Sequence, residues 1–154
     1  MKIIFLDFDG VLTTSKAYGV LDNEKMALLQ KIIEQTGAKI VISSSWRCMD
    51  VDSTIYNLTL GADYHGTPLD WLKDVVGVTE RPNVDEFCMV EYWSREEEVT
   101  RYLNAHKDEI DRFVIIDDEA DEFEKLLPYV IKTNYKTGIT EKEVIQAIQQ
   151  LNEN

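Results

Sequence analysis

Two aspartates, two residues apart, interrupt the apolar run near the start of the chain. In IIFLDFDGVLTT, Asp7 and Asp9 follow an apolar stretch, and Gly10 comes directly after them. Since alternate residues of an extended segment point to the same side, the two carboxylates lie on one face. Carboxylates held this close repel each other unless a positive charge lies between them. The spacing therefore predicts a site for a positively charged group.

Two further apolar runs end in residues of similar chemistry. RFVIID (112–117) ends in Asp117 and is followed by Asp118, and AKIVIS (38–43) ends in Ser43. If these runs are parallel strands of one sheet, their carboxyl ends share the edge at which ligands bind. Carboxylates that are distant in the sequence then converge into an oxygen-rich pocket, and Mg²⁺ is the cation that fits it best. We therefore expect Mg²⁺ as the cofactor and a phosphorylated substrate.

Strand and helix patterns alternate along the chain, which predicts a three-layer α/β fold. The predicted strands are KIIFLDF (2–8), AKIVIS (38–43), DVVGVT (74–79), RFVIID (112–117) and YVIKT (129–133). The predicted helices begin at Asp22 or Asn23, near Ser53, at Ser94 and at Thr140, the last two with capping-box partners Glu97 and Glu143. Because Asp7 must face both Ser43 and Asp117, strand one is expected at the centre of a five-stranded parallel sheet, between strands two and four. No linker or repeat divides residues 1–154, so we expect one domain.

Composition limits the possible partners. Of the 154 residues 44% are hydrophobic, and the formal net charge is −13. This charge argues against binding along a nucleic-acid backbone or to an anionic membrane, whereas one phosphate paired with a metal ion is compatible with it. No apolar run reaches membrane-spanning length and Asp7 interrupts the apolar start, so we expect a cytoplasmic protein without a signal peptide. Cys48 and Cys88 lack metal-ligand spacing and are expected to be free thiols.

Four segments resemble motifs of the haloacid dehalogenase (HAD) superfamily, in register over nearly the whole chain. FLDFDGVL resembles the first motif, IVISSSWR the second and FVIIDDEAD the fourth. The third motif is a Lys or Arg near the start of a helix, and Arg95 in WSREEEV matches it best. The tail IKTNYKTGITEKEV is similar to the ending of small members, including HAD domains found within RNA-repair proteins. The resemblance implies a Rossmann-like HAD fold and a phosphatase.

The resemblance also implies roles for the acidic residues. Asp7 is the nucleophile that forms an aspartyl-phosphate, and Asp9 is the general acid and base. The metal ligands are the carboxylates of Asp7 and Asp117 and the backbone carbonyl of Asp9, with Asp118 acting through water or as a support. Asp121, one turn later, could do the same as Asp118. The presence of Asp9 favours a phosphatase, because dehalogenases of the superfamily lack this acid and its ion-pumping ATPases have Thr there.

The phosphate-binding residues are less sharply defined. Ser43 is favoured as the hydroxyl that binds the phosphoryl group, with Ser44 and Ser45 as neighbours that compete for the role. Gly10 allows a sharp turn that brings backbone amides toward the phosphate. Arg95 is favoured as the cation that neutralises the phosphoryl group. The alternatives to Arg95 are Lys73, Arg81 and Arg47.

The sequence is compatible with two classes of substrate. About a dozen residues separate Gly10 from the next helix, too few for a cap domain. An open site suits a bulky substrate such as a polymer end, or needs a partner as its lid. The acidic composition instead favours a soluble phosphomonoester, with a nucleic-acid end as the second interpretation and a non-catalytic module that binds magnesium and phosphate as the third.

Other residues have less defined roles. Arg47 could reach an extended substrate, and Trp46 and Tyr18 could stack on a substrate ring. Lys16, with Arg47 and Arg95, could offset the acids near the site. His65 and His106 are interpreted as structural or surface residues. The run from Glu96 to Glu98 is interpreted as favourable charge at a helix start.

Overall fold

The computed structural model describes residues 1–17, 19–65, 68–82 and 92–153, with the backbone alone for 62–65. Tyr18 and Cys88 lie outside the described residues, and so does the side chain of His65. Cys48 is a free thiol, as expected. Among the helices of the described ranges, none is long and apolar enough to cross a membrane.

Strands and helices alternate as the sequence predicts. The strands are β1 (Lys2–Leu6), β2 (Lys39–Ile42), β3 (Val75–Val78), β4 (Arg112–Asp117) and β5 (Val130–Lys132). The helices are α1 (Asn23–Thr36), α2 (Val51–His65), α3 (Arg95–Ala105) and α4 (Glu141–Asn152). Three short 3-10 turns cover Asp70–Asp74, Ala120–Glu122 and Leu127–Tyr129.

The helix ends follow from capping residues. Asp22 caps α1 by accepting hydrogen bonds from the amides of Glu24 and Lys25, and both predicted capping boxes are present at α3 and α4. Helix α2 is longer than predicted. The carboxylate of Asp50 accepts a hydrogen bond from the amide of Ser53 at 2.7 Å, so the helix begins before the predicted Ser53. Asp50 is the start signal that the apolar pattern did not identify.

The five strands form one parallel sheet in the order β3-β2-β1-β4-β5, which confirms β1 as the central strand between β2 and β4. Leu6 is level with Ile42 on one side and with Ile116 on the other. The next residue of each strand is therefore at the same height. The ladder continues there, because the Asp7 amide donates to the Ile116 carbonyl at 3.1 Å and the Ser43 amide donates to the Leu6 carbonyl at 3.0 Å. Strand register thus brings the three predicted site residues to one edge.

Helices cover both faces of the sheet, which gives the three layers. Ile4 and Leu6 belong to a hydrophobic cluster with residues of α1, α2 and α4. Ile3 and Phe5, on the other face, pack in a second cluster that includes Val99 of α3. These four β1 residues are fully buried, as expected for the central strand of a parallel sheet. The described residues between β1 and α1 form turns, so in this part of the chain no cap domain is inserted.

The segment after β5 supports the loop that follows β1. The buried hydroxyl of Thr133 donates to the Gly10 carbonyl at 2.7 Å, and the Ile139 amide donates to the Val11 carbonyl at 2.9 Å. Gly138 has a φ of +66°, and a Cβ there would lie 2.6 Å from the Val11 carbonyl oxygen. The loop that holds Asp9 and Gly10 is therefore fixed by residues far away in the sequence.

Gly138→Ala should destabilise the protein more than Gly37→Ala. Both glycines have positive φ values, +66° and +67°, so alanine introduces left-handed backbone strain of about 1–2 kcal/mol at either position. At Gly138 the new Cβ also meets the Val11 backbone, whereas nothing lies within 4 Å of the Cβ position at Gly37. Urea unfolding should show the larger loss of free energy for Gly138→Ala. Equal losses would contradict the close support of the β1 loop.

Candidate active site

Arg95 joins the ends of three strands. Its Nη1 atom lies 3.2 Å from Asp7 Oδ1 and 3.4 Å from Asp117 Oδ2, and it donates a hydrogen bond to the Ser43 carbonyl at 3.2 Å. Arg95 is the first residue of α3, directly after the Ser94 cap, so the capping box sets where its side chain starts. Burial opposes the guanidinium charge, but the carboxylates of Asp7 and Asp117 raise the pKa of Arg95.

The other candidates for the third-motif cation are placed differently. Lys73 is exposed in the turn before β3. Arg81 donates to the carbonyls of Ser45 and Arg47. The geometry therefore brings Arg95, the favoured candidate, to the acids.

Asp7, Asp117 and Asp118 form a compact group of carboxylates. One oxygen from each lies within 4.8 Å of the others. Burial and the charge of Asp7 raise the pKa of Asp117 to about 7, although Arg95 acts in the opposite direction. Burial, Asp7 and Glu119 also raise the pKa of Asp118. One guanidinium does not offset three carboxylates, and an all-oxygen donor set fits a hard cation such as Mg²⁺.

Asp9 is held by a tryptophan. The indole Nε1 of Trp46 donates a hydrogen bond to Asp9 Oδ2 at 3.0 Å. Asp9 Oδ1 is buried and has no hydrogen-bond partner among the described residues. The half-buried Trp46 ring packs edge-on against Phe8, with ring centroids 5.5 Å apart. The indole N–H of Trp46 therefore contacts Asp9, which the sequence pattern did not indicate, and the interpretation of Trp46 as a stacking surface for a substrate stays a prediction.

Gly10 brings the loop after β1 against Asp118. Its φ is +72°, and a Cβ at this position would lie 2.4 Å from Asp118 Oδ2. A side chain here is excluded by strain and by contact with the acid group. The Gly10 amide donates to the Thr13 hydroxyl at 3.3 Å, so the amide is used within the loop. The glycine is required for close approach of the two loops, in addition to the turn predicted from the sequence.

The three serines after β2 differ in what they can offer a phosphate. Ser43 is fully buried, and its hydroxyl has no hydrogen-bond partner among the described residues. The hydroxyl of Ser44 accepts a hydrogen bond from the Trp46 amide at 3.3 Å. Ser45 is exposed. Ser43 therefore has the free hydroxyl at the level of Asp7, as the favoured interpretation expects.

The expectation that Arg47 could reach an extended substrate is wrong, because its guanidinium is used within the fold. Its buried guanidinium donates to the carbonyls of Ser43 at 3.0 Å, Ser44 at 2.9 Å and Thr79 at 2.7 Å. Its Nη2 also lies 2.7 Å from Glu98 Oε2. Burial lowers the pKa of Arg47, although Glu98 acts in the opposite direction. The pair fixes the loop after β2 to α3, the helix that carries Arg95.

Two glutamates of the acidic run in α3 have specific partners. Glu98 pairs with Arg47, and the Glu96 carboxylate accepts hydrogen bonds from the amides of Glu124, Lys125 and Leu126. Burial opposes the charge of Glu96, but these amides lower its pKa. Glu96 therefore fastens α3 to the segment after Asp118. Apart from the position of both glutamates in the first turn of the helix, no sequence pattern indicated these contacts.

Two pockets flank the acidic group. The larger, about 550 Å³, is lined by Asp9, Gly10 and Asp118 together with Thr13, Thr14, Ser15, Glu119, Ala120, Asp121, Glu122, Lys132 and Tyr135. The smaller, about 260 Å³, is lined by Ser45, Arg47, Arg81, Tyr92, Trp93, Arg95, Glu98, Glu119 and Glu122.

The structure also locates Lys16, Asp121 and His106, for which the sequence suggested only general roles. The lysine that lines the larger pocket is Lys132, whereas Lys16 is exposed outside it. Asp121 lines the same pocket as Asp118. His106 ends α3, where its ring stacks on Tyr102 and contacts Glu109, in agreement with a structural role.

Asp117→Asn should stabilise the metal-free protein at alkaline pH. Folding raises the Asp117 pKa from 3.8 to about 7, so this carboxyl favours the folded state at low pH. That contribution is complete below the unfolded pKa and is lost as the pH rises through the folded pKa. In chelator, the urea midpoint of Asp117→Asn relative to that of the wild type should therefore rise as the pH rises from 3.8 to about 7.

Magnesium provides a second readout of the same group. Added Mg²⁺ should restore the wild-type midpoint at alkaline pH, because a metal ion binds the ionised carboxylates of the folded state. Asp108→Asn, a change at an exposed acid in the turn after α3, is the control and should keep the wild-type pH dependence. An unchanged pH dependence in Asp117→Asn contradicts the role of this carboxyl.

The comparison with known proteins identifies the family. The family model described as the HAD domain in Swiss Army Knife RNA repair proteins matches residues 3–144, which include every residue of the acidic group and Arg95. Searches of curated proteins and of solved structures gave no significant match. With motifs, sheet order and the family match in agreement, the chain belongs to the HAD superfamily, in the family of HAD domains found in Swiss Army Knife RNA repair proteins.

Proposed function

We propose that the protein is a magnesium-dependent phosphatase that hydrolyses a phosphomonoester through an aspartyl-phosphate on Asp7. The observation that carries this proposal is the position of Asp7. Its carboxylate lies beside Arg95, in one group with Asp117 and Asp118, at the same sheet edge as the free hydroxyl of Ser43. The closeness of a carboxylate, a guanidinium and a hydroxyl at one sheet edge supports their proposed roles as nucleophile, cation and hydroxyl donor toward a phosphoryl group.

In the first step, a carboxylate oxygen of Asp7 attacks phosphorus. The new bond from Asp7 to phosphorus forms as the bond from phosphorus to the leaving oxygen breaks. Asp9, in its protonated form, gives its proton to that leaving oxygen, which departs as an alcohol. Arg95 and the Ser43 hydroxyl would hold the phosphoryl oxygens, since the Arg95 side chain contacts Asp7 and Ser43 follows β2, the strand beside β1.

In the second step, Asp9 acts as the base. Its carboxylate accepts a proton from the water that attacks phosphorus, and the bond to Asp7 breaks to release phosphate and restore both groups. The carboxylates of Asp7, Asp117 and Asp118 and the carbonyl of Asp9 are the proposed ligands of the metal. Bound Mg²⁺ supplies the positive charge that lets a phosphate approach these acids.

The substrate is proposed to be a soluble phosphomonoester. The net charge of −13 repels a polyanion, and Arg47, which could have contacted a longer substrate, is used inside the fold. A phosphorylated nucleic-acid end is the second candidate. It is favoured by the description of the family, which refers to RNA repair proteins, and by Arg95 and the aromatic residues Tyr92 and Trp93 around the smaller pocket.

Asp7→Asn should abolish turnover, and Asp9→Asn should slow it by about two orders of magnitude or more, the usual effect of losing a general acid. Excess chelator should also stop the reaction of the wild type. The measurement is phosphate release from a panel of phosphorylated metabolites and oligonucleotides. Asp108→Asn, which changes an exposed and distant acid, serves as the matched control.

Three outcomes contradict the mechanism. They are full activity of Asp7→Asn, full activity of Asp9→Asn, and full activity of the wild type in chelator. Tight binding of magnesium and phosphate without hydrolysis of any panel member indicates the non-catalytic module instead.

The two substrate classes should differ in salt dependence. We expect kcat/KM for a nucleoside monophosphate or a sugar phosphate to equal or exceed that for a 5′- or 3′-phosphorylated oligonucleotide. The measurement compares these substrates over a range of salt concentrations. If the oligonucleotide is preferred by tenfold or more, about 1.4 kcal/mol, and its advantage falls as salt rises, the second candidate is correct.

A further inference from the structure

We propose that Trp46 is a positioning residue for proton transfer, whose indole N–H fixes Asp9 so that Oδ1 carries the transferred proton. This inference rests on the proposed phosphatase function. It assigns a role to a side chain outside the acidic group, from a contact of 3.0 Å between Trp46 Nε1 and Asp9 Oδ2.

The chemistry of the indole makes the two oxygens of Asp9 different. An indole nitrogen has one hydrogen to donate and accepts no hydrogen bond. Oδ2 must therefore be the acceptor in this contact, whatever the protonation state of Asp9. In the protonated form the carbonyl oxygen is the stronger acceptor of the two, so the contact favours the hydroxyl at Oδ1, the oxygen that is buried without a hydrogen-bond partner among the described residues. The contact thus biases which oxygen delivers the proton.

The position of Trp46 does not depend on a substrate. Its ring packs edge-on against Phe8, a fully buried residue between Asp7 and Asp9 in the chain. Phe8 in turn packs edge-on against Trp71, with ring centroids 5.9 Å apart. The core that anchors β1 therefore also sets the direction of the indole N–H. Fixed orientation of this kind reduces the reorganisation that proton transfer requires.

The larger pocket indicates where the proton goes. Asp9 lines this pocket, whereas Arg95 lines the smaller one. We therefore place the leaving group that accepts a proton from Asp9 on the side of the larger pocket. Trp46 contacts only Oδ2, so its hydrogen bond leaves Oδ1 unengaged.

The test compares two substrates that differ in their need for a proton. Glycerol phosphate has an alkoxide leaving group that requires protonation, whereas the nitrophenolate of 4-nitrophenyl phosphate leaves without it. Trp46→Phe keeps an aromatic ring against Phe8 and removes the indole donor. Hydrolysis of the aspartyl-phosphate is common to both substrates, so the comparison uses kcat/KM, which reports the steps through departure of the leaving group. We expect kcat/KM for glycerol phosphate to fall about tenfold or more and that for 4-nitrophenyl phosphate to change less than about threefold.

Trp71→Phe is the matched control. Trp71 is buried against the same Phe8, but its indole nitrogen has no hydrogen-bond partner among the described residues. This variant loses the same atoms from the same aromatic cluster. It should change kcat/KM for the two substrates by equal factors, even where it lowers stability. Selectivity between substrates therefore separates positioning of Asp9 from loss of packing.

A spectroscopic readout tests the hydrogen bond without turnover. The indole N–H resonance of Trp46, assigned by its disappearance in Trp46→Phe, should shift and exchange faster with solvent in Asp9→Ala. The indole resonance of Trp71 should shift less.

The outcomes distinguish the two proposals. Equal losses of kcat/KM for both substrates in Trp46→Phe, or the same selectivity in Trp71→Phe, overturn the positioning role. A Trp46 resonance that does not respond to Asp9→Ala also overturns it. Inactivity of the wild type toward both esters and toward every member of the substrate panel contradicts the proposed function and, with it, the proton transfer, while the resonance still reports whether Trp46 holds Asp9.

Discussion

Repulsion between the carboxylates at the ends of β1 and β4 is the constraint that the rest of the structure must overcome. Asp7 and Asp117 are almost completely buried, and Asp118 lies beside them. Arg95 contacts both Asp7 and Asp117. Burial and mutual repulsion raise the pKa of Asp117, so the folded protein holds this group in a state that favours a proton or a metal ion. The rest of the fold must keep these acids together against their charge.

Strand register and three sets of side-chain contacts keep the acids together. The register places Asp7, Ser43 and Asp117 at one level of the sheet. Arg47 and Glu98 tie the loop after β2 to α3, and Glu96 ties α3 to the segment after Asp118. Thr133 holds the Gly10 carbonyl from the other side. Each loop that carries a proposed site residue is therefore linked to a second element, which limits how far the acids can separate.

The same side-chain contacts determine which positive charges are available to the proposed phosphate. Arg47, although close to the strand ends, is used to satisfy backbone carbonyls and Glu98, so its charge is not offered to a ligand. Positive charge for a phosphate must come from Arg95 and from a metal ion bound by the carboxylates. In the proposed function this arrangement would bind one phosphoryl group locally, while the net charge of −13 acts against long-range attraction of polyanions.

Local patterns in the sequence determined the order of elements, the central position of β1 and the placement of Asp7, Asp117 and Ser43 at one edge. These features follow from apolar runs, capping residues and the shared direction of parallel strands. The sequence favoured Arg95 and Ser43 among several candidates, and tertiary structure showed that Arg95 meets the acids and that Ser43 has the free hydroxyl. Tertiary structure alone decided that Arg47 is internal and that Trp46 contacts Asp9. Each of these outcomes depends on the path of a loop or the rotation of a helix about its axis. Both are set by packing between distant segments, which residue spacing does not encode.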